Sequence, residues 1–424
     1  MKTSEFLENS MSESLSIKSQ RTHTGGFFIL LFLAMALMSA LLNSTAPTPL
    51  YPFYQHQLRL TSLSLTIIYG AYAAGVLISL LCIGNMTNKV RDLRYMITPA
   101  LLIVLIGAML FTIANSFMML LSARFLAGVG TGALTGAANL SLVKFGPGNQ
   151  GKSAALIATL SFTTGLALGP ILSGIALQAN FHPTSFPFYI IMIFTFISLM
   201  GTLLAWPSND NVAQDKIPEK HISLHSKDNT LKEELRSDRI GFFLCAASLF
   251  TCWAVAASIF SIGPAVSDLL LDVHSRGVFG YVIAIYLIIA GISQILSRRV
   301  GAEHSLILGC VSQIVSLFIF YLSIELKSVV IACIGIAIAG YAYGAIFVGS
   351  ATLVNITSPK ESHAKTLSLF YVIAYIANWV PVLSGIIIDH ISLRLAVNLL
   401  FFISSVTFLI LVIMIKPRTF KTLQ

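Results

Sequence analysis

Gly146-Pro-Gly-Asn-Gln-Gly151-Lys152-Ser153 matches the phosphate-binding pattern Gly-x-x-x-x-Gly-Lys-Ser letter for letter, and the apolar Leu140 to Phe145 before it passes for a strand. Taken by itself the run points to nucleotide hydrolysis. A phosphate cradle also needs a soluble parallel sheet around that strand and an acidic residue for magnesium. No acidic strand end follows, so the run reads as a basic inter-helix loop. Arg124 offers a different chemistry, because it lies several residues inside an apolar stretch. A charge there is costly in hydrocarbon, so it faces protein, water or a partner unless it snorkels to the headgroups. A proton-coupled machine usually sets a carboxylate beside such an arginine. Here every Asp and Glu falls in a loop, a tail or a helix end, the nearest being Asp268, Asp272 and Asp389. His56, His182, His274 and His390 are equally peripheral. No acid, base and nucleophile cluster, so the chain does not read as an enzyme. The five cysteines sit in apolar segments without metal-ligand spacing and read as packing residues, with no cofactor or metal expected.

The elements that must position Arg124 follow from composition. With 56% hydrophobic and 10% charged residues and a mean hydropathy of +0.84, the chain cannot cover a water-soluble globule and belongs in lipid. About twelve apolar stretches approach the ~20 residues that cross a hydrocarbon core. They fall near 26–47, 62–84, 95–115, 117–143, 153–178, 187–206, 240–265, 276–297, 303–324, 328–355, 365–388 and 392–415. Their continuous apolarity excludes barrel strands, which alternate. An all-α protein of twelve transmembrane helices is expected.

The net charge of +9 does not signal nucleic acid, because Lys and Arg follow membrane sidedness. With the N-terminus cytoplasmic, 21 of the 26 basic residues lie inside, while Arg59, Arg276, Lys327 and Arg394 lie outside. Both termini are therefore expected in the cytoplasm. Residues 1–25 read as a cytoplasmic tail rather than a cleaved leader. Residues 26–206 and 240–415 read as two six-helix bundles, joined by a mixed-charge cytoplasmic linker at 207–239 and followed by a tail at 416–424.

The two bundles are one unit written twice. Pro170-Ile-Leu-Ser-Gly174 returns 211 positions later as Pro381-Val-Leu-Ser-Gly385. Gly128 and Gly132 return as Gly340 and Gly344, and Tyr69-Gly70 as Phe279-Gly280. Each proline removes a backbone donor in mid-span, leaving a carbonyl for neighbours to satisfy and a point where the helix can bend. One kinked helix in each half is expected. Small residues at Gly128, Gly130, Gly132, Gly165 and Gly169 allow close helix packing.

These residues resemble the major facilitator superfamily of secondary transporters, over essentially the whole length. Arg124-x-x-x-Gly128-x-Gly130-x-Gly132 is similar to that family's fourth-helix motif. Gly165-x-x-x-Gly169-Pro170-x-x-Ser173-Gly174 is similar to the fifth-helix motif of its drug/proton antiporter branch, with Ser173 where glycine is usual. The loop motif after the second helix is eroded: in Gly84-Asn-Met-Thr-Asn88-Lys89-Val-Arg91-Asp92-Leu-Arg94, asparagine replaces the aspartate of the usual charge latch. Lys89 and Arg94, or Asp92 as a stand-in, are candidates to hold the cytoplasmic faces together, with plain positive-inside charge as the alternative.

The resemblance implies two pseudo-symmetric six-helix bundles, a functional monomer, and a cavity lined by helices one, four, seven and ten. Candidate contacts for substrate or coupling are Asn43, Arg124, Trp253, one of Tyr341 and Tyr343, and the stripe Tyr371, Tyr375 and Trp379, which reads equally as packing. The expected function is proton-coupled efflux of small amphipathic organic molecules by alternating access, in the inner membrane of a bacterium. Two explanations of Arg124 stay open. In one, a rim carboxylate, Asp268 or Asp389, carries the proton. In the other, Arg124 meets an acid on the cargo, and the protein is an organic-anion permease or exchanger. A non-transporting sensor or scaffold is the lesser alternative.

Overall fold

The computed structural model describes residues 27–84, 92–146, 152–206, 239–273, 277–358 and 363–415. The two tails, the linker up to residue 238, residues 147–151 of the phosphate-loop lookalike, and Asn88 and Lys89 lie outside the described residues. Among the described residues, twelve helices are long and apolar enough to cross a membrane, as continuous apolar runs without alternation require. In chain order they are α1 (the span Phe27–Leu58), α2 (Ser62–Gly84), α3 (Arg94–Thr112), α4 (Phe117–Phe145), α5 (Lys152–Ala179) and α6 (Phe186–Ala205). The second half follows as α7 (Arg239–Leu269), α8 (Val278–Ser297), α9 (Ala302–Glu325), α10 (Val329–Thr357), α11 (His363–Ile376 with Val380–His390) and α12 (Leu393–Ile415). An even number of spans puts both ends of the described chain on one face, the termini face. The opposite face is the far face.

Duplication reaches the helix caps. Ser116 Oγ accepts from Met119 N at the start of α4, and Ser328 Oγ accepts from Ile331 N at the start of α10, each at 3.4 Å. The two helices run 29 residues each and end with Gly146 N and Ser358 N donating to the carbonyls four residues back. A side-chain acceptor at the N-cap satisfies a donor that a helix start leaves bare. Packing repeats as well. α4 lies against α2 and α3, and α3 against α6; α10 lies against α8 and α9, and α9 against α12. The halves meet where α5 packs on α8 and α2 on α11.

Two expectations are sharpened. The helix expected to end near residue 47 ends at residue 45, but the apolar span goes on through a 3-10 segment, Thr48–Leu50, and the helix Tyr51–Leu58. Pro47 and Pro49 cannot donate to the carbonyls four residues earlier, which ends the first segment. The two motif prolines also sit in different backbones. α5 runs unbroken through Pro170, whereas α11 is interrupted by a 3-10 turn at Ala377–Trp379.

Large apolar side chains such as Leu81, Phe196, Phe318 and Phe402 remain exposed on the helix exteriors. Lipid, in place of water, is the solvent that suits them. Cys82 and Cys333 join this exterior, while Cys245, Cys252 and Cys310 are buried. The reading of all five cysteines as packing residues therefore holds for three.

Candidate functional site

Helix ends make the first contact. Because the first segment of α1 stops before Pro47, its last carbonyls lack intrahelical donors. Arg124 Nη1 donates to the Ser44 carbonyl, and Ser173 Oγ donates to the Ala46 carbonyl at 2.6 Å. A cation at a helix C-terminus also meets the negative end of the macrodipole. Arg124 is 2% exposed and lies under two rings of α2, with Tyr69 at 5.3 Å and Tyr72 at 5.0 Å from the guanidinium carbon. Tyr51 meets Tyr69 edge-on at 6.4 Å. The ion pairs among the described residues do not include Arg124, and its Nε has no hydrogen-bond partner among them. Asn43, the residue before Ser44, turns instead to α3, where its Nδ2 donates to the Val104 carbonyl at 3.3 Å.

The second half answers with aromatics. Trp253 of α7 stacks at 6.4 Å on Phe347 of α10 and meets Tyr375 of α11 edge-on at 5.1 Å. Its Nε1 is buried without a hydrogen-bond partner among the described residues. Tyr343 turns inward to Tyr286 at 5.9 Å, whereas Tyr341 lines a shallow recess with Val311 and Val315 of α9, away from Trp253. Along the α11 stripe, Tyr371 packs on Phe370, Tyr375 on Trp253, and Trp379 on α2, where a Cβ at Gly70 would touch its ring at 3.4 Å.

The motif glycines are contact points between backbones. A Cβ at Gly128 would fall on the Tyr72 carbonyl, one at Gly132 would meet Ser79 Cβ at 2.9 Å, and one at Gly130 would meet the Val104 side chain at 2.6 Å. The glycine run that follows Arg124 thus clamps α4 to α2 and α3. Gly165 and Gly169 press α5 onto Met38 and Leu42 of α1. Thr45 Oγ1 of α1 donates at 3.0 Å to the Leu166 carbonyl, the group that Pro170 leaves without its helical donor.

Gly174 and Gly385 look the other way, across the halves. A Cβ at Gly174 would stand 2.8 Å from the Gly277 carbonyl at the start of α8, and Gly277 itself has φ +89°, which disfavours any side chain. A Cβ at Gly385 would stand 2.5 Å from Thr66 Oγ1 and 2.9 Å from Leu63 Cα of α2. Both approaches lie toward the far face, so the halves are closed together there. On the termini face, Arg94 stays within the first half. It bonds to Asp92 at 2.6 Å and stacks 5.7 Å over the Trp206 ring. Partial burial pushes the Asp92 carboxyl up, but hydrogen bonds from Arg94 outweigh it and hold the group below the usual carboxylate range. Gly84 closes α2 at the edge of the described residues.

Sequence reasoning missed Tyr69, Tyr72, Tyr51 and Phe347 as neighbours of the candidate residues. Tyr69 and Tyr72, three apart on a helix that also carries Gly75, share one face at helical spacing, which was a usable signal. Phe347 carried none, since phenylalanine is common throughout these spans.

Comparison with known proteins bears on the fold. The family model described as Major Facilitator Superfamily matches residues 31–380. A peptide transporter POT superposes with a TM-score of 0.75 at 16% identity, covering 92% of this chain and 94% of that one. A bacterial homologue of the human lysosomal transporter Spinster, inward-facing and unoccupied, gives 0.71 at 15% identity, covering 92% and 95%. The nucleoside transporter NupG gives 0.69 at 13% identity, covering 92% and 98%. No curated protein matches by sequence.

Proposed function

This chain belongs to the major facilitator superfamily, and from that premise we propose that it moves small amphipathic organic molecules bearing an acidic group, by alternating access around the midplane. It is a multi-pass membrane protein and a secondary transporter; the acidic cargo is the finer reading. One observation carries it: a buried arginine, roofed by Tyr69 and Tyr72, that enters no ion pair among the described residues. A buried charge without a counter-charge is expensive. The Ser44 carbonyl and the ring faces offset part of that cost, and an anion supplies the rest. The facing wall of Trp253, Phe347 and Tyr375 suits an apolar or aromatic body, with the Trp253 N–H free to meet a polar group on it. The protein works as a monomer in the inner membrane of a bacterium, with the termini face in the cytoplasm, and exports its cargo.

Proton-coupled export of neutral or cationic cargo is the second reading. Its support is the glycine pair Gly165 and Gly169 pressed on α1, within a run that resembles the fifth-helix motif of the drug/proton antiporter branch. In proteoliposomes, a panel of aromatic carboxylates and their amide or amine analogues separates the two. The acidic reading expects saturable flux of carboxylates that falls at least tenfold in Arg124→Ala and partly returns in Arg124→Lys. Undiminished flux in Arg124→Ala overturns it, and flux of amines driven by a proton gradient favours the second reading. Absence of flux for every compound would favour a sensor.

A further inference from the structure

The far-face closure has two clasps, and they differ in chemistry. Between α5 and α8 the contact is neutral: Gly174 against Gly277, and the Tyr281 hydroxyl donating to Gln178 Oε1 at 3.0 Å. Between α2 and α11 it is charged. Asp389, which stands 211 positions after Gln178 and so is its repeat counterpart, places one carboxylate oxygen 2.9 Å from Ser62 N and the other 2.9 Å from Leu63 N. Those are first-turn donors of a helix in the other half. Helices α4 and α10 cap their own first turns with Ser116 and Ser328, whereas α2 takes part of its cap from across the molecule. Two other far-face carboxylates stay within the second half: Asp272 pairs with Lys327 at 2.6 Å and Glu325 with Arg394 at 2.5 Å.

We infer that Asp389 is a charge latch that sets how firmly the far face closes, with the Gln178 clasp as its neutral counterpart. The inference rests on the alternating-access reading. When the far face opens, α11 must leave α2, and the Ser62 and Leu63 N–H groups lose an ionised acceptor held at the positive end of the α2 dipole. A carboxylate that bridges the halves therefore stabilises the closed state and contributes nothing to the open one. The within-half pairs persist in both states and leave the balance alone. The loop after α2 has Asn88 where the motif it resembles carries an aspartate; Asp389 puts a carboxylate between α2 and α11 on the far face.

The test is a distance measurement across the far face in lipid nanodiscs, which needs no substrate. Spin labels go on Gln57→Cys of the first half and Leu326→Cys of the second, with the exposed Cys82 and Cys333 replaced by alanine. Asp389→Asn keeps an acceptor and removes the charge, so it should raise the ratio of long to short distances about fivefold, the range of losing a negative charge at a helix N-terminus. Ser62→Pro deletes the Ser62 N–H together with the hydroxyl that also bonds Asp389, at a position where a first-turn proline is tolerated; the carboxylate and the Leu63 donor remain, so it should shift the ratio less and in the same direction. Combined, the two should add little, since they remove shared bonds. Asp272→Asn should leave the ratio within about twofold, since its pair stays inside one half. An unchanged distribution in Asp389→Asn, an equal shift in Asp272→Asn, or full additivity with Ser62→Pro overturns the latch. If Asp389→Asn does not fold, Ser62→Pro decides. A parent protein that shows one distance throughout and carries no cargo removes the alternating-access premise, an outcome distinguishable from a working transporter whose balance ignores Asp389.

Discussion

Pro170-Ile-Leu-Ser-Gly174 and Pro381-Val-Leu-Ser-Gly385 start from nearly the same five residues and reach different backbones. At Pro170 the missing N–H frees the Leu166 carbonyl, Thr45 Oγ1 of α1 takes it at 3.0 Å, and α5 continues as helix. At Pro381 the chain tightens, Val380 N donates to the Ala377 carbonyl, Asn378 Nδ2 donates to the Tyr375 carbonyl at 3.1 Å, and α11 breaks. A proline fixes which bond is lost; the neighbouring helix decides how it is replaced. The glycine that ends each copy keeps one job in both, holding the halves together on the far face.

That contrast can be broken or sharpened by substitution. The largest effect is expected from Gly174→Leu and Gly385→Leu, because each drives a side chain into opposing backbone: about 3 kcal/mol against the closed state, read as a shift to long distances between the far-face labels. Unequal effects would show that one clasp dominates. Next, Thr45→Val strands the Leu166 carbonyl and should cost about 2 kcal/mol in thermal unfolding. In a Pro170→Ala background, where the regained backbone N–H restores the helical bond to that carbonyl, the same change should cost close to nothing. A smaller effect, about 1 kcal/mol, is expected for Pro381→Ala, which lets α11 close its break and moves Trp379 off Gly70. Tryptophan fluorescence in a Trp206→Phe, Trp253→Phe background should change for Pro381→Ala and stay fixed for Pro170→Ala. Asp92→Asn should be the smallest, within about 1 kcal/mol, because its Arg94 pair is partly exposed and lies within one half. Since the Asp92 carboxyl is held below its usual range, that contribution is present above the usual range and fades only as pH falls through the lowered value.

Much of this was readable beforehand. The spans, the duplication and the packing role of Gly128, Gly165 and Gly169 follow from apolar length and small-residue spacing. The site was legible at Arg124, because an arginine inside a span stands out against its surroundings. Its neighbours were not: Asn43 was a candidate contact, and the Ser44 carbonyl one residue on is the group that holds Arg124. Backbone acceptors are invisible in a list of side chains. They become available only where a helix ends, and here two prolines ended it. Tyr341 and Tyr343 were equally ranked for a related reason, since two positions on a helix point about 200° apart and only packing tells which faces inward.

The residues by themselves determined that this chain crosses a membrane twelve times, that it is one unit repeated, and that its motifs are those of a transporter family. Those facts depend on local composition and on offsets along the chain. Tertiary structure decided which repeat breaks at its proline, which carbonyl holds Arg124, and which far-face carboxylate bridges the halves. Each of those is a bond between groups far apart in sequence, and its partner exists only once the helices are in place.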